Sequence, residues 1–136
     1  MTADVITITP DTAVPDAHNL MRKHGIRRLP VAQDGQLVGI VSMTDIMEAK
    51  PSDATHLDVW ELNYLLSRLP VSEIMTTDLY TVRTDSTLLE AAQLMYEHKV
   101  GGIPVVDTGR RLAGIVTESD IFRVLIDWLK QPEANG

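Results

Sequence analysis

The stretch Gly39-Ile-Val-Ser-Met-Thr-Asp45 opens as an apolar β-branched run and closes on hydroxyl residues and an aspartate. The run suits a buried strand. The hydroxyls and the carboxylate suit the first turn of a helix. A second stretch, Gly114-Ile-Val-Thr-Glu-Ser-Asp120, has the same form. Each therefore reads as a strand running into a helix N-terminus, where free backbone N–H groups and a partial positive charge favour an anion. The aspartate adds two acceptor oxygens that can receive two neighbouring hydroxyls, as on a ribose. The two stretches together point to a duplicated pocket for an anion and a diol.

The duplication extends outward from this pair. Asp4, Thr7, Asp11, Ala17, Leu20, Met21, His24, Pro30, Val31 and Gly35 recur 74 positions later, from Asp78 to Gly109. Leu37, Gly39, Ile40, Val41, Asp45 and Ile46 recur 75 positions later, so the second copy carries one extra residue in a turn. Two copies are too few for a solenoid, and a paired, pseudo-symmetric structure is expected.

Within a copy the predicted order is strand, helix, strand, strand, helix. Residues 5–8 alternate as a strand would, with 79–82 as their counterpart. A helix is expected from Asp11-Thr12 to His24, with Pro15 tolerated in its first turn and Gly25 as its C′ residue. In the second copy Thr87 and Glu90 have capping-box spacing, and Ala91, Leu94 and Met95 share one helix face. Asp34-Gly35 between two apolar runs signals a hairpin. Thr44 is expected to open the last helix, to about Ala49; its counterpart is expected from Ser119 to about Lys130. Between the copies, Val59, Leu62, Leu66 and Leu69 have helical spacing, and a helix over 57–68 ending before Pro70 is predicted. The divisions are then 1–50, a linker with a helix over 51–70, 71–130, and a polar tail at 131–136.

Composition narrows the function. A hydrophobic content of 44% supports a core, and only 4% aromatics makes that core aliphatic. A formal net charge of −7 weighs against nucleic acid and against an anionic membrane surface. There is no cysteine, hence no disulfide frame and no thiolate nucleophile. No apolar run nears the roughly 18 residues of a spanning helix, and the N-terminus does not read as a signal peptide. A cytoplasmic protein is expected. No nucleophile–base–orienter set is evident, so an enzyme is not expected.

The stretches His24-Gly-Ile-Arg-Arg-Leu-Pro-Val31 and Val100-Gly-Gly-Ile-Pro-Val105, each followed by its Gly…Asp stretch, resemble those of tandem CBS-domain proteins, the family named after cystathionine β-synthase. Ser72-Glu-Ile-Met-Thr76 looks like the usual lead-in to such a repeat, and the first copy has no such lead-in. The resemblance implies an α/β (α+β) module of two pseudo-twofold-related β-α-β-β-α repeats with two clefts. It implies a regulatory role toward a separate, unidentified protein. The ligands it implies are AMP, ADP, ATP or S-adenosylmethionine, with no cofactor required.

On this reading Asp45 and Asp120 hold ribose hydroxyls, and their plainer role is to stabilise a helix dipole. Ser42 and Thr117, with Thr44 and Ser119, contact phosphate or hydroxyl groups; their plainer role is capping, and a hydroxyl can do both. Ile6, Thr7, Thr81, Val82, Gly102, Ile103 and Pro104 form the cleft wall toward the base. Arg27 and Arg28 face Gly101 and Gly102 in the other copy. Arginine suits forked contacts to phosphate; a solvated surface role is the alternative. His24 and His98 read as helix C-terminal charge partners, with no metal expected. The competing overall reading is a structural homodimerisation module with vestigial clefts, supported by Phe122, Leu125, Ile126 and Trp128 on the final helix; a homodimer is expected in either case, through helices that offer Met21, Met95, Phe122 and Trp128.

Overall fold

The computed structural model describes residues 5–49, 61 and 66–131. Most of the helix expected over 57–68 lies outside these residues, as does the tail 132–136; Leu66-Ser67, within them, are helical. The chain is a mixed α/β protein that divides into two compact units, Ile6–Leu79 and Tyr80 onward, with Val5 grouped with the second.

In the first unit, α1 (Val14–His24) starts later than Asp11-Thr12. Those residues form a turn instead: the Thr12 side chain accepts from the Thr9 N–H at 3.2 Å, and the Thr9 hydroxyl donates to the Asp11 carboxylate. Pro15 lies in the first helical turn, where its missing N–H costs nothing. Val14, Ala17 and Met21 are buried along one face. Gly25 ends the helix at φ +63°, as the sequence indicates.

The hairpin follows. β1 (Arg28–Gln33) pairs antiparallel with β2 (Gln36–Ser42) around Asp34 and Gly35. Both turn residues have positive φ, the geometry that matches strand twist in a two-residue loop. The expected strand over 5–8 contracts to Ile8, which bridges Val31 in parallel sense, since the turn at Thr9–Thr12 diverts the chain at once. α2 (Met43–Glu48) begins one residue before Thr44, with Ser42 as its cap.

The lead-in 71–76 packs in this first unit. Val71 N–H donates to Thr12 C=O at 2.8 Å, and Val71–Glu73 forms a single 3₁₀ turn. Thr76 exchanges both backbone bonds with Ile40, at 3.0 and 2.8 Å, and so borders β2. The core joins Ile8, Val14, Met21, Leu29, Val31, Val41, Ile46 and Val71.

In the second unit a three-stranded sheet runs β3 (Val82–Arg83), β4 (Gly102–Val106), β5 (Leu112–Thr117). β3 is parallel to β4, β5 antiparallel. The strand expected over 79–82 is thus two residues long and begins at Val82. α3 (Leu88–His98) is capped by Thr87, whose hydroxyl accepts from the Glu90 N–H at 3.1 Å. The extra residue of this copy sits in the β4–β5 turn, where one Asp107 carboxylate oxygen accepts from the N–H groups of Gly109 and Arg111, each at 2.9 Å. α4 (Glu118–Leu129) closes the unit. Its core is Val82, Ala91, Met95, Ile103, Val105 and Val116.

Met21 and Met95, two of the four residues expected to face a second copy, are therefore core side chains, because the helix face that carries them covers a sheet. Phe122 and Trp128 are 58% and 50% exposed. Among the described residues no helix is long and apolar enough to cross a membrane.

Candidate functional site

Both units build the same junction where β2 or β5 enters a helix. Ser42 accepts from the Asp45 N–H at 3.0 Å, and the Asp45 carboxylate accepts from the Ser42 N–H at 2.8 Å. This is the reciprocal capping box, with aspartate in the place usual for glutamate. In the second unit the Asp120 Oδ2 accepts from the Thr117 N–H at 2.9 Å and from its hydroxyl at 3.2 Å. The capping role weighed for these four residues is present, and it leaves the binding role open: each carboxylate has four lone-pair sites, and one or two are used.

A second staple fixes the start of the hairpin against the helix. Met43 N–H donates to Arg27 C=O at 2.8 Å, and Glu118 N–H donates to Gly101 C=O at 3.2 Å. Arg28 lies opposite Ser42 in the ladder, and Gly102 opposite Thr117. Arg27 and Arg28 are thus brought beside Ser42 and Asp45 within one unit. Arg27 sits in a bend ahead of the strand and is exposed. Strand alternation therefore places only Arg28, not the pair, and the side chain of Arg27 is set by the bend.

The segment before each first strand arrives at the same end. Ile8 N–H donates to Pro30 C=O at 3.1 Å, so Ile6 and Thr7 run in beside the start of β1. Val82 pairs with Val105, which places Thr81 beside the start of β4. Burial sorts the expected wall residues. Thr7 is exposed, Ile6, Thr81 and Gly102 are half-buried, and Pro104 is buried. Val82 and Ile103 belong to the core, with Ile103 wholly buried, so their side chains are not offered at the surface. Thr44 and Ser119 are exposed on the first helical turns.

The two junctions differ in charge. Asp120 is 6% exposed, and its Oδ1 lies 3.6 Å from an Arg123 guanidinium nitrogen. The 75-residue offset pairs Arg123 with Glu48 in the first copy, so Asp45 has a like charge where Asp120 has a cation. Sequence reading passed over this pair, although the offset that aligned the aspartates would have exposed it. Tyr80 was also passed over: its ring stacks on His98 with centroids 3.8 Å apart and planes at 14°. His24 and His98 both fall in the last turns of their helices, as expected. Among the described residues no three His, Asp or Glu side chains gather as metal ligands would.

Comparison with known proteins gives the family. The CBS domain model matches residues 1–52 and 71–127. The protein MJ1225 of Methanocaldococcus jannaschii is 34% identical over 130 residues, covering 90% of this chain and 44% of that protein. Its crystal structure superposes with a TM-score of 0.82. The inosine-5′-monophosphate dehydrogenase of Korarchaeum cryptofilum is 38% identical over 119 residues, covering 88% of this chain but 22% of the enzyme. The chain thus spans less than half the length of these curated relatives. Two further structures cover 91% of this chain at 30% identity: CBSX2 in complex with AMP, TM-score 0.76 over 89% of that chain, and the CBS domain pair of MJ0100 in complex with 5′-methylthioadenosine and S-adenosylmethionine, TM-score 0.73 over 93%. With both matched segments coinciding with the two copies of the repeat, the chain belongs to the CBS-domain family and carries a pair of CBS domains.

Proposed function

We propose that this chain is a regulatory module that takes an adenosine-containing ligand, AMP, ADP, ATP or S-adenosylmethionine, in the clefts of its domain pair and thereby biases a separate protein. The observation that carries the reading is the duplicated junction. In each unit an aspartate, a hydroxyl residue and the start of a hairpin strand are stapled together by hydrogen bonds of 2.8 to 3.2 Å from backbone N–H groups. Relatives of similar length, described with AMP and with S-adenosylmethionine, support the choice of ligand class. Asp45 and Asp120 hold ribose hydroxyls; Ser42, Thr44, Thr117 and Ser119 donate to phosphate or hydroxyl oxygens; Arg27 or Arg28 meets phosphate. Thr7, Thr81 and the backbone at Gly102 lie toward the base. Regulation follows if the ligand binds two arrangements of the pair unequally. The test is a thermal-shift series with AMP, ADP, ATP, S-adenosylmethionine and NADH. A bound ligand at a hundred times its Kd adds about 2.7 kcal/mol to stability. At least one adenosine ligand should raise the melting temperature by degrees, and silence from all of them overturns the reading.

The second reading, a homodimerisation module with vestigial clefts, is favoured by one observation. Phe122, Val124, Leu125, Ile126, Trp128 and Leu129 are all substantially exposed on α4. An apolar surface of this kind commonly marks an interface, and a homodimer through helices belongs to the proposal under either reading.

A further inference from the structure

The two aspartates share a cap but not a charge environment. Asp120 has both carboxylate oxygens engaged: Oδ2 accepts from Thr117, and Oδ1 faces Arg123 at 3.6 Å. Asp45 uses Oδ2 for the Ser42 N–H, and the residue one turn on is Glu48. A carboxylate that grips a ribose needs free lone pairs on its oxygens for the 2′ and 3′ hydroxyls. On the second repeat one of those oxygens faces a cation already in place. We infer that Arg123 is a positioning residue that sets the specificity of the second repeat's site, competing with a ligand's diol for Oδ1 of Asp120. This rests on the ribose role proposed above for Asp120.

The geometry gives the competition its size. Asp120 is held by the cap and buried, so it cannot turn away from Arg123 without releasing the Thr117 N–H. The Arg123 side chain is 71% exposed and can swing into solvent. An ion pair with one solvated partner is weak. The arginine therefore weakens diol binding without forbidding it, and favours ligands whose own negative charge can hold the displaced guanidinium.

The experiment is titration calorimetry on the full chain in an Asp45→Asn background, so that the second site is read alone. Adenosine and 2′-deoxyadenosine are compared with Arg123 intact, as Arg123→Ala, and as Arg123→Ala with Asp120→Asn. Removing Arg123 should tighten adenosine about two- to fivefold, the range of a solvated ion pair. It should leave 2′-deoxyadenosine unchanged, because that ligand has no diol. The gain should vanish when Asp120 is also changed. Unchanged or weaker adenosine binding, or an equal gain for 2′-deoxyadenosine, overturns the inference. If adenosine and AMP bind neither the wild-type chain nor any variant, the ribose reading itself has failed. If Arg123→Ala folds poorly, Arg123→Gln keeps the stem, drops the charge and carries the same expectation.

Discussion

Gly39 has no side chain because Met75 occupies the place of one: a Cβ at position 39 would lie 2.6 Å from the Met75 sulfur and 3.1 Å from the Thr76 carbonyl oxygen. The glycine thus lets the segment ahead of the second repeat cross closely over β2, where Thr76 pairs with Ile40. The Met75 side chain can yield, but the backbone carbonyl is fixed by that pairing. Gly39→Ala should therefore destabilise by about 1–3 kcal/mol, the usual range for overpacking. A lowered urea midpoint with an unchanged slope checks it. Gly109→Ala, whose added Cβ would meet only Asp107 at 3.5 Å, should show no such packing loss.

The capping boxes make a second expectation. Asp120→Ala leaves the half-buried Thr117 N–H without its acceptor and empties the buried place of the carboxylate. A loss of about 1–3 kcal/mol follows. Asp45 is half-buried, so water can replace part of what Asp45→Ala removes and the loss should be smaller. Thermal melts of the two variants decide the order. Calorimetry with AMP on the same variants reads the ribose role separately, since capping alone leaves affinity unchanged.

Arg27 and Arg28 stand beside Ser42, where the second copy has only glycine. Charge-assisted contacts to phosphate are stronger than neutral ones. Arg27→Ala or Arg28→Ala should lower affinity for AMP and ATP while sparing adenosine, and the difference should shrink at high salt. Equal losses for adenosine and AMP would mean that the residue shapes the site rather than reads charge.

The exposed face of α4 supports a self-association test. A groove of about 620 Å³ runs between α3 and α4, floored by Met95, Val100, Ile121 and Phe122. Phe122→Glu should shift a micromolar dimer toward monomer in sedimentation without lowering the melting temperature of the isolated chain. A monomeric wild-type chain would remove the dimer from the proposal.

Much of the fold is legible in the sequence. The hairpin was legible because Asp34-Gly35 leaves the backbone one natural turn, and α1 because Gly25 stops it. The strand expected over 5–8 shortens to Ile8 because alternation cannot report the Thr9–Asp11–Thr12 turn that cuts it short. Met21 and Met95 pack into the cores rather than an interface, since a helical stripe does not say which neighbour it meets. The capped junction at Asp45, Asp120, Ser42 and Thr117 is legible from spacing. The Arg123–Asp120 ion pair is not legible from spacing alone, and neither is the burial of the Val82 and Ile103 side chains, which sequence alternation does not report.

The segment that borders β2 begins where the second sequence repeat begins, at Val71, yet it packs with the first unit as far as Leu79. The inherited unit of sequence and the unit of packing are therefore out of phase by about nine residues. Scission at residue 70 would separate Val71 from the core it completes and Thr76 from Ile40. The covalent link between the repeats therefore acts as a tether, holding the arm from Val71 to Thr76 against the first unit at a high local concentration.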